Sequence, residues 1–266
     1  MKIINTKYLS IIKHFWITSI ATELEYKFNF LIETLSVFAN LAGSIFLLSL
    51  FYSDSNELGG WNKLSSFIVL GVYIFLEGFT ISFLQPNLNK IVRHVQNGTL
   101  DFILLKPIDT QFWLSARIIN PWGFPSFISG IFLISYGVRA QNLTFNLIDI
   151  LYFISLITSA LIILYSLWFV IATTSIWFVK VWNANEVLKS ILAAGRYPIS
   201  AFPFFLRTIL TFIIPIAFLT TIPAQSLLGF HSLAFTCLSF IFAITSFNLS
   251  RIFWLYAMRF YTSASS

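Results

Sequence analysis

Read for polarity alone, the chain is a series of long apolar runs separated by short polar breaks. Six runs stand out, over 28–51, 64–84, 122–138, 148–179, 205–222 and 233–258. A helix rises 1.5 Å per residue, so about 20 apolar residues cross the hydrocarbon of a bilayer. Five runs meet that length or approach it. The run at 122–138 is short, and Pro215 interrupts the one at 205–222. The run at 148–179 exceeds one span, which predicts a far end projecting into water. The pattern predicts an all-α, polytopic membrane protein with six transmembrane helices.

The stretch before the first run has a different period. Ile4, Tyr8, Ile11, Ile12 and Phe15 recur at helical spacing, with Lys2, Lys7, Ser10, Lys13 and His14 largely between them. That spacing predicts an N-terminal amphipathic helix over 1–27 lying in the membrane interface; a frayed tail is the alternative. Lys13, His14, Glu23 and Glu25 interrupt any apolar core there, so the stretch does not read as a signal peptide. The outer loops are short, and no internal repeat or low-complexity segment occurs. The chain reads as one permease domain, with a six-span bundle over 28–258.

Composition supports the membrane reading. Of the 266 residues, 58% are hydrophobic and 10% charged, against about 25% charged in soluble domains. The formal charge of +6 agrees with basic cytoplasmic loops and gives no reason to expect nucleic acid. If both termini are cytoplasmic, only Lys63 and Arg139 of the sixteen Lys and Arg residues fall on the outer side. That asymmetry predicts cytoplasmic termini and supports six spans. One cysteine, Cys237, rules out an internal disulfide and a Cys-cluster metal site.

The longest polar break, 86–117, is the candidate functional segment. Leu88, Ile91, Val92 and Val95 mark one face of a short helix, and Asn97-Gly98 ends it. Thr99 opens another turn, and Asp109 is placed to cap a helix through Phe112, Trp113 and Arg117. The apolar cluster Phe102–Leu105 inside a water-facing segment has two readings: residues tucked under the bundle, or a docking surface for a cytoplasmic partner. Between the fourth and fifth runs, Asn185 is placed to cap a helix over 186–194, with Gly195 ending it. This connection is either a second cytoplasmic contact or a solvated connector.

The chemistry of catalysis is not visible. There is no GxxxxGK[ST] phosphate loop. His14, His94 and His231 lie in separate segments, and no serine sits in an elbow motif. Glu77, midway along the second run, is costly at that depth, which makes it either a lining residue of a pathway or proton-linked site, or a hydrogen-bonded packing residue. Glu33, near the inner end of the first run, is close enough to water or Lys27 to carry little information. The 31 Phe, 8 Trp and 10 Tyr fit interfacial belts and equally an oily pathway.

The stretch NGTLDFILLKPID resembles a signature of the ABC-2 family of ABC transporter permeases, through Gly98, Thr99, Leu100, Asp101, Phe102, Ile103, Leu104, Leu105, Lys106 and Pro107. RYP at 196–198, PIAF at 215–218 and IPAQSLLG at 222–229 resemble later parts of the same pattern. The resemblance implies that 86–117 is a cytoplasmic coupling element receiving force from an ATP-binding cassette ATPase subunit. It also implies a second permease subunit, the same or a sister chain, and a short re-entrant segment within 221–232. The expected function is the permease subunit of an ATP-binding cassette transporter, an exporter in the cell (inner) membrane, with ATP held on the partner and no cofactor of its own. Spans with scarcely any charge favour a hydrophobic or amphipathic cargo. An integral-membrane lipid-modifying enzyme or an ion-coupled carrier centred on Glu77 are the alternatives.

Overall fold

The computed structural model describes residues 2–23, 27–53, 56–144, 146–178 and 182–262. Among them the chain is helical, with turns and no strands. The long helices are α1 (Lys2–Glu23), α2 (Lys27–Phe51), α3 (Lys63–Phe79), α4 (Gln85–Gln96), α7 (Phe124–Ala140), α8 (Leu147–Thr173) and α13 (Leu233–Ala257). Between them lie α5 (Asp101–Leu104), α6 (Thr110–Ala116), α9 (Trp182–Leu192), α10 (Phe204–Thr208), α11 (Ile216–Leu219) and α12 (Thr221–Leu227). Four helices are long and apolar enough to cross a membrane, and two bent helix pairs bring the number to six by length and composition.

The second span continues well past the expected end. α3, a π turn at Thr80–Leu84 and α4 form one helix, Lys63–Gln96. Its 34 residues extend about 50 Å, beyond the hydrocarbon. The polar stretch that begins at Pro86 is therefore first a helical extension and only then a loop. Proline inside a helix removes one N–H and crowds the carbonyl four residues back. Here the wider π turn precedes it, and the freed Ser82 carbonyl accepts instead from Asn120 N at 2.9 Å. The apolar face at Leu88, Ile91 and Val92 is buried as its spacing predicts.

α3 and α7 form the closest helix pair. Gly71 and Gly78 on α3 face Gly130 and Gly123, and Gly137 faces Ile68 and the Leu64 carbonyl; the last three glycines are spaced by seven residues along and just before α7. Seven residues are nearly two turns, so each series stays on one face. A Cβ at Gly130 would lie 2.7 Å from the Gly71 carbonyl, and one at Gly123 would lie 2.5 Å from the Gly78 carbonyl. Backbones meet where any side chain would separate them, as membrane helices do at small-residue stripes.

A larger core of α3, α4, α8, α11, α12 and α13 surrounds Trp168, Phe169, Phe218 and Trp254. By contrast α2 leaves Leu31, Leu35, Phe38 and Phe46 exposed. On α1, Ile11, Ile12 and Phe15 turn toward the protein and Lys13 and His14 away, as the spacing predicts. The side chains of Ile4 and Tyr8 lie outside the described residues.

The fifth run departs from expectation. Residues 204–227 form a segment bent by 67° at Ile214–Pro215, and both its flanks return to the loop before α3. The backbone of Ser200 and Ala201 lies against Gly59, within 2.6 Å of a Cβ built there. At the other flank, Gln225, Leu228 and Phe230 share a cavity with Glu57, Gly60 and Trp61. The passage from one end of the bundle to the other is made instead by 182–201. Asn185 Nδ2 donates to Asn89 Oδ1 (3.0 Å) at the α4 end, and Ala201 ends at Gly59. Asn185 thus sits within α9 rather than capping it. Polarity hid this passage: Lys189 and Arg196 face a cavity between the helices rather than lipid.

Two outcomes follow from this packing. Gly130→Ala is expected to cost about 1–3 kcal/mol by overpacking, read as a lower unfolding temperature in detergent; Gly43→Ala, inside α2 with nothing within 4 Å, does not lower it. In a Cys237→Ser background, a cysteine at Pro203 is expected to label from the same side of the membrane as one at Asn56, opposite to one at Gln96. Labelling of 203 from the side of 96 would return the crossing to 205–222.

Candidate functional site

The end of α4 opens onto a folded platform. Gly98 takes the left-handed conformation (φ 64°) that ends the helix. His94 Nδ1 and Thr99 Oγ1 lie 2.8 Å apart, and Leu100 N donates to the His94 carbonyl at 3.2 Å. These bonds turn the chain into α5. As expected, Asp109 caps α6, its Oδ1 accepting from Phe112 N at 2.9 Å.

The apolar cluster then divides. Leu100 and Ile103 are buried in the main core, whereas Phe102 is 69% exposed, Leu105 82% and Leu104 38%. Leu100 and Ile103 are thus tucked under the bundle, whereas Phe102, Leu104 and Leu105 are not. In a helical turn Leu100 and Ile103, three positions apart, share one face, so the segment is anchored by that pair and presents the other three. Lys106 and Pro107 are exposed beside them. The Lys106 ammonium lies 4.5 Å from the Trp113 ring centroid, and the Arg117 guanidinium 5.3 Å from it. Phe15 of α1 meets that ring edge-on at 4.9 Å.

A polar network ties the platform to the last helix. Arg251 of α13 donates from Nη2 to Asp109 Oδ2 (2.5 Å) and from Nη1 to Asp109 Oδ1 and Gln111 Oε1 (both 3.2 Å). Gln111 Nε2 donates to the Tyr165 hydroxyl of α8 at 3.1 Å, and Ser115 Oγ is 2.9 Å from it. The ion pair is more than a third exposed, so its worth is orientation more than stability. Sequence reading treated Arg251 only as a basic residue near the inner end. Its partner is 142 residues away, and nothing local marks the pair.

Between α6 and α7 the chain breaks at 117–120, and the two helices are bent by 60°. Backbone groups exposed by such a break need partners. Buried Asn87 supplies two: its Oδ1 accepts from Ile118 N (2.8 Å) and its Nδ2 donates to the Ile118 carbonyl (2.6 Å). α1 supplies more, through Trp16 Nε1 to the Ala116 carbonyl (3.2 Å) and Ser19 Oγ to the Ile119 carbonyl (2.8 Å). Glu23 accepts from Trp122 Nε1 at 2.8 Å.

The second feature is a cavity of about 540 Å³ reached by α2, α3, α8, α9 and α11. Glu77 lines it, with Tyr73, Lys189 and Arg196. The Arg196 guanidinium lies 5.1 Å from the Tyr73 ring centroid, and its Nη2 donates to Asn40 Oδ1 at 3.4 Å. Lys189 pairs with Glu186 at 2.8 Å. Glu77 is half-buried, and among the described residues it makes no hydrogen bond or ion pair. Its cavity neighbour Arg196, within the RYP motif, was legible only as a family likeness. The structure does not join Glu77 to the 98–107 segment: they lie at different heights of one helix and its extension.

A multi-pass bundle with a folded platform at one end and a charged cavity within defines an all-α polytopic membrane protein. Residues 38–265 match the family described as ABC-2 family transporter protein. The chain belongs to that family and is a membrane permease subunit of an ABC transporter. No curated protein and no solved structure matches it.

Asn87→Leu leaves the Ile118 peptide without partners, a loss of about 1–3 kcal/mol. The variant is expected to unfold at lower temperature in detergent, with Asn56→Ala as an unaffected control. An unchanged unfolding temperature would show that the break at 117–120 is satisfied without Asn87.

Proposed function

We propose that this permease is the membrane half of an ATP-driven exporter in the cell (inner) membrane, with both termini cytoplasmic. ATP is bound and hydrolysed on an ATP-binding cassette ATPase subunit, and a second permease subunit, a copy or a sister chain, completes the membrane core. Membrane subunits of the ABC-2 family generally pair with such an ATPase. The coupling element is 98–107, with Phe102, Leu104 and Leu105 as its docking side chains and Lys106 and Pro107 at its rim.

One observation carries this reading. Three large apolar side chains stand exposed on a segment whose other apolar residues, Leu100 and Ile103, are fixed in the core. A segment that only packed under the bundle would have no reason to display them to water, where exposing each large apolar group costs about 1.5–3 kcal/mol relative to burial. Held by core residues on one side and by Asp109–Arg251 beyond it, the element is stiff enough to pass a push into α4 and α6. The basic residues at that end, Lys90, Arg93, Lys106 and Arg117, support placing it in the cytoplasm. Glu77 then lies on the route or beside it, at the cavity.

The two residue sets separate docking from folding. Phe102→Ala with Leu105→Ala is expected to leave the permease's unfolding temperature unchanged and to weaken ATPase association at least about tenfold, read by affinity measurement on purified subunits. Leu100→Ala is expected to lower that temperature, at about 2–5 kcal/mol. If the double variant misfolds while the ATPase still binds normally, the exposed residues are structural and the docking assignment is wrong.

A further inference from the structure

We propose that the 540 Å³ cavity beside Glu77 is a binding site for a small dipolar molecule, one that carries an ammonium and an oxyanion a few ångströms apart.

Three side chains that line it carry a buried hydrogen-bond donor with no partner among the described residues. The Trp168 side chain is fully buried, and its Nε1 is unpaired; Thr220 is 2% exposed, and its Oγ1 is unpaired. The Arg196 Nε is buried and unpaired as well. All three residues line this one cavity, though they come from α8, α11's end and the 3-10 turn Ala193–Arg196. An indole and a guanidinium can only donate, so this set calls for an acceptor, best an anionic oxygen. Buried polar groups are normally paired; three orphans around one cavity mark it as built for something absent from the chain itself.

Glu77 is the complement. A carboxylate accepts only, and this one has no hydrogen bond among the described residues. It shares the cavity with Arg196, yet no ion pair within 4 Å joins them. Glu33 and Lys189 line the cavity too, so a ligand that bears both signs meets both signs on its walls. The volume lies within the range of about 300–1,000 Å³ usual for ligand sites, and Leu164 and Leu219 on its walls accept an aliphatic remainder. Such a dipole has two sources, a water-soluble zwitterion or a zwitterionic lipid headgroup. The proposal rests on the cavity alone, and its test needs no ATP hydrolysis, so its failure leaves the coupling reading where it stands.

The test uses the full chain, with the subunits that purify with it, in phosphatidylglycerol nanodiscs shown by lipid extraction to be free of phosphatidylethanolamine. Phosphoethanolamine, ethanolamine and inorganic phosphate are titrated by calorimetry. Phosphoethanolamine is expected to bind once per chain and at least tenfold more tightly than either half. Glu77→Gln and Thr220→Val, which removes only the hydroxyl, are each expected to weaken it at least fivefold at unchanged unfolding temperature; should one fail to fold, the other supplies the comparison. In discs containing phosphatidylethanolamine, loss of the phosphoethanolamine heat assigns the site to the headgroup, and its persistence assigns it to a soluble zwitterion. No heat with phosphoethanolamine, equal affinity for either half, or unchanged affinity in the folded variants overturns the proposal.

Discussion

The backbone contact between α3 and α7 is the constraint from which the rest of the structure follows. In lipid, apolar side chains gain nothing from leaving an apolar solvent, so helices hold together by close packing and by hydrogen bonds. The glycines at 71, 78, 123, 130 and 137 allow that packing at its closest. Gly123 shows how tight the fit is: a Cβ there would fall 2.2 Å from Ser82 Oγ. Only because it is glycine does the start of α7 come near enough for Asn120 to reach the Ser82 carbonyl that Pro86 leaves free.

Two defects are thereby made to satisfy each other. The proline in the second span frees a carbonyl, and the break before the third frees several peptide groups. Asn120, Asn87 and the residues of α1 close those valences with five short hydrogen bonds. Irregular backbone at membrane depth survives only where protein supplies its partners. α1 is thus more than an interfacial float. It seals the broken segment and, through Phe15 on Trp113, steadies the platform beyond it.

How much of this was legible in the sequence depends on the range of each interaction. Local rules worked: the apolar face of α4, the turn at Asn97-Gly98 and the Asp109 cap all depend on residues within a few positions of one another. The α3–α7 glycines were present at a readable seven-residue spacing, but glycine also marks turns, and no apolar period points to it. The passage at 182–201 was hidden for the opposite reason. Hydropathy finds segments that face lipid, and this one is enclosed, carrying Lys189 and Arg196 against the cavity. The apolar run at 205–222 took its place in the count because Phe205, Phe212 and Ile213 are outward-facing, which is what hydropathy detects. For the segment at 98–107, the sequence offered two readings of one apolar cluster, and only the helical turn of α5 could assign each residue to its face.

The continuous helix from Lys63 to Gln96 also decides how the platform and the cavity communicate. Glu77 lies 20 residues from Asn97 on one hydrogen-bonded rod, about 30 Å apart, with the π turn Thr80–Leu84 between them. Helices bend most easily at a π turn or a proline, and this rod has both within seven residues. Asn89 below the turn bonds Asn185 of α9, and α9 carries Lys189 to the cavity wall. Movement of α4 therefore has two routes to the cavity: along its own axis through the π turn, and sideways through α9. The α3–α7 contact holds the upper half of the rod still, because two backbones in contact leave no space to rotate. The Ser82 carbonyl within the π turn accepts from Asn120 N, and Asn87 just below it bonds Ile118, so the turn and the break before α7 are held as one unit.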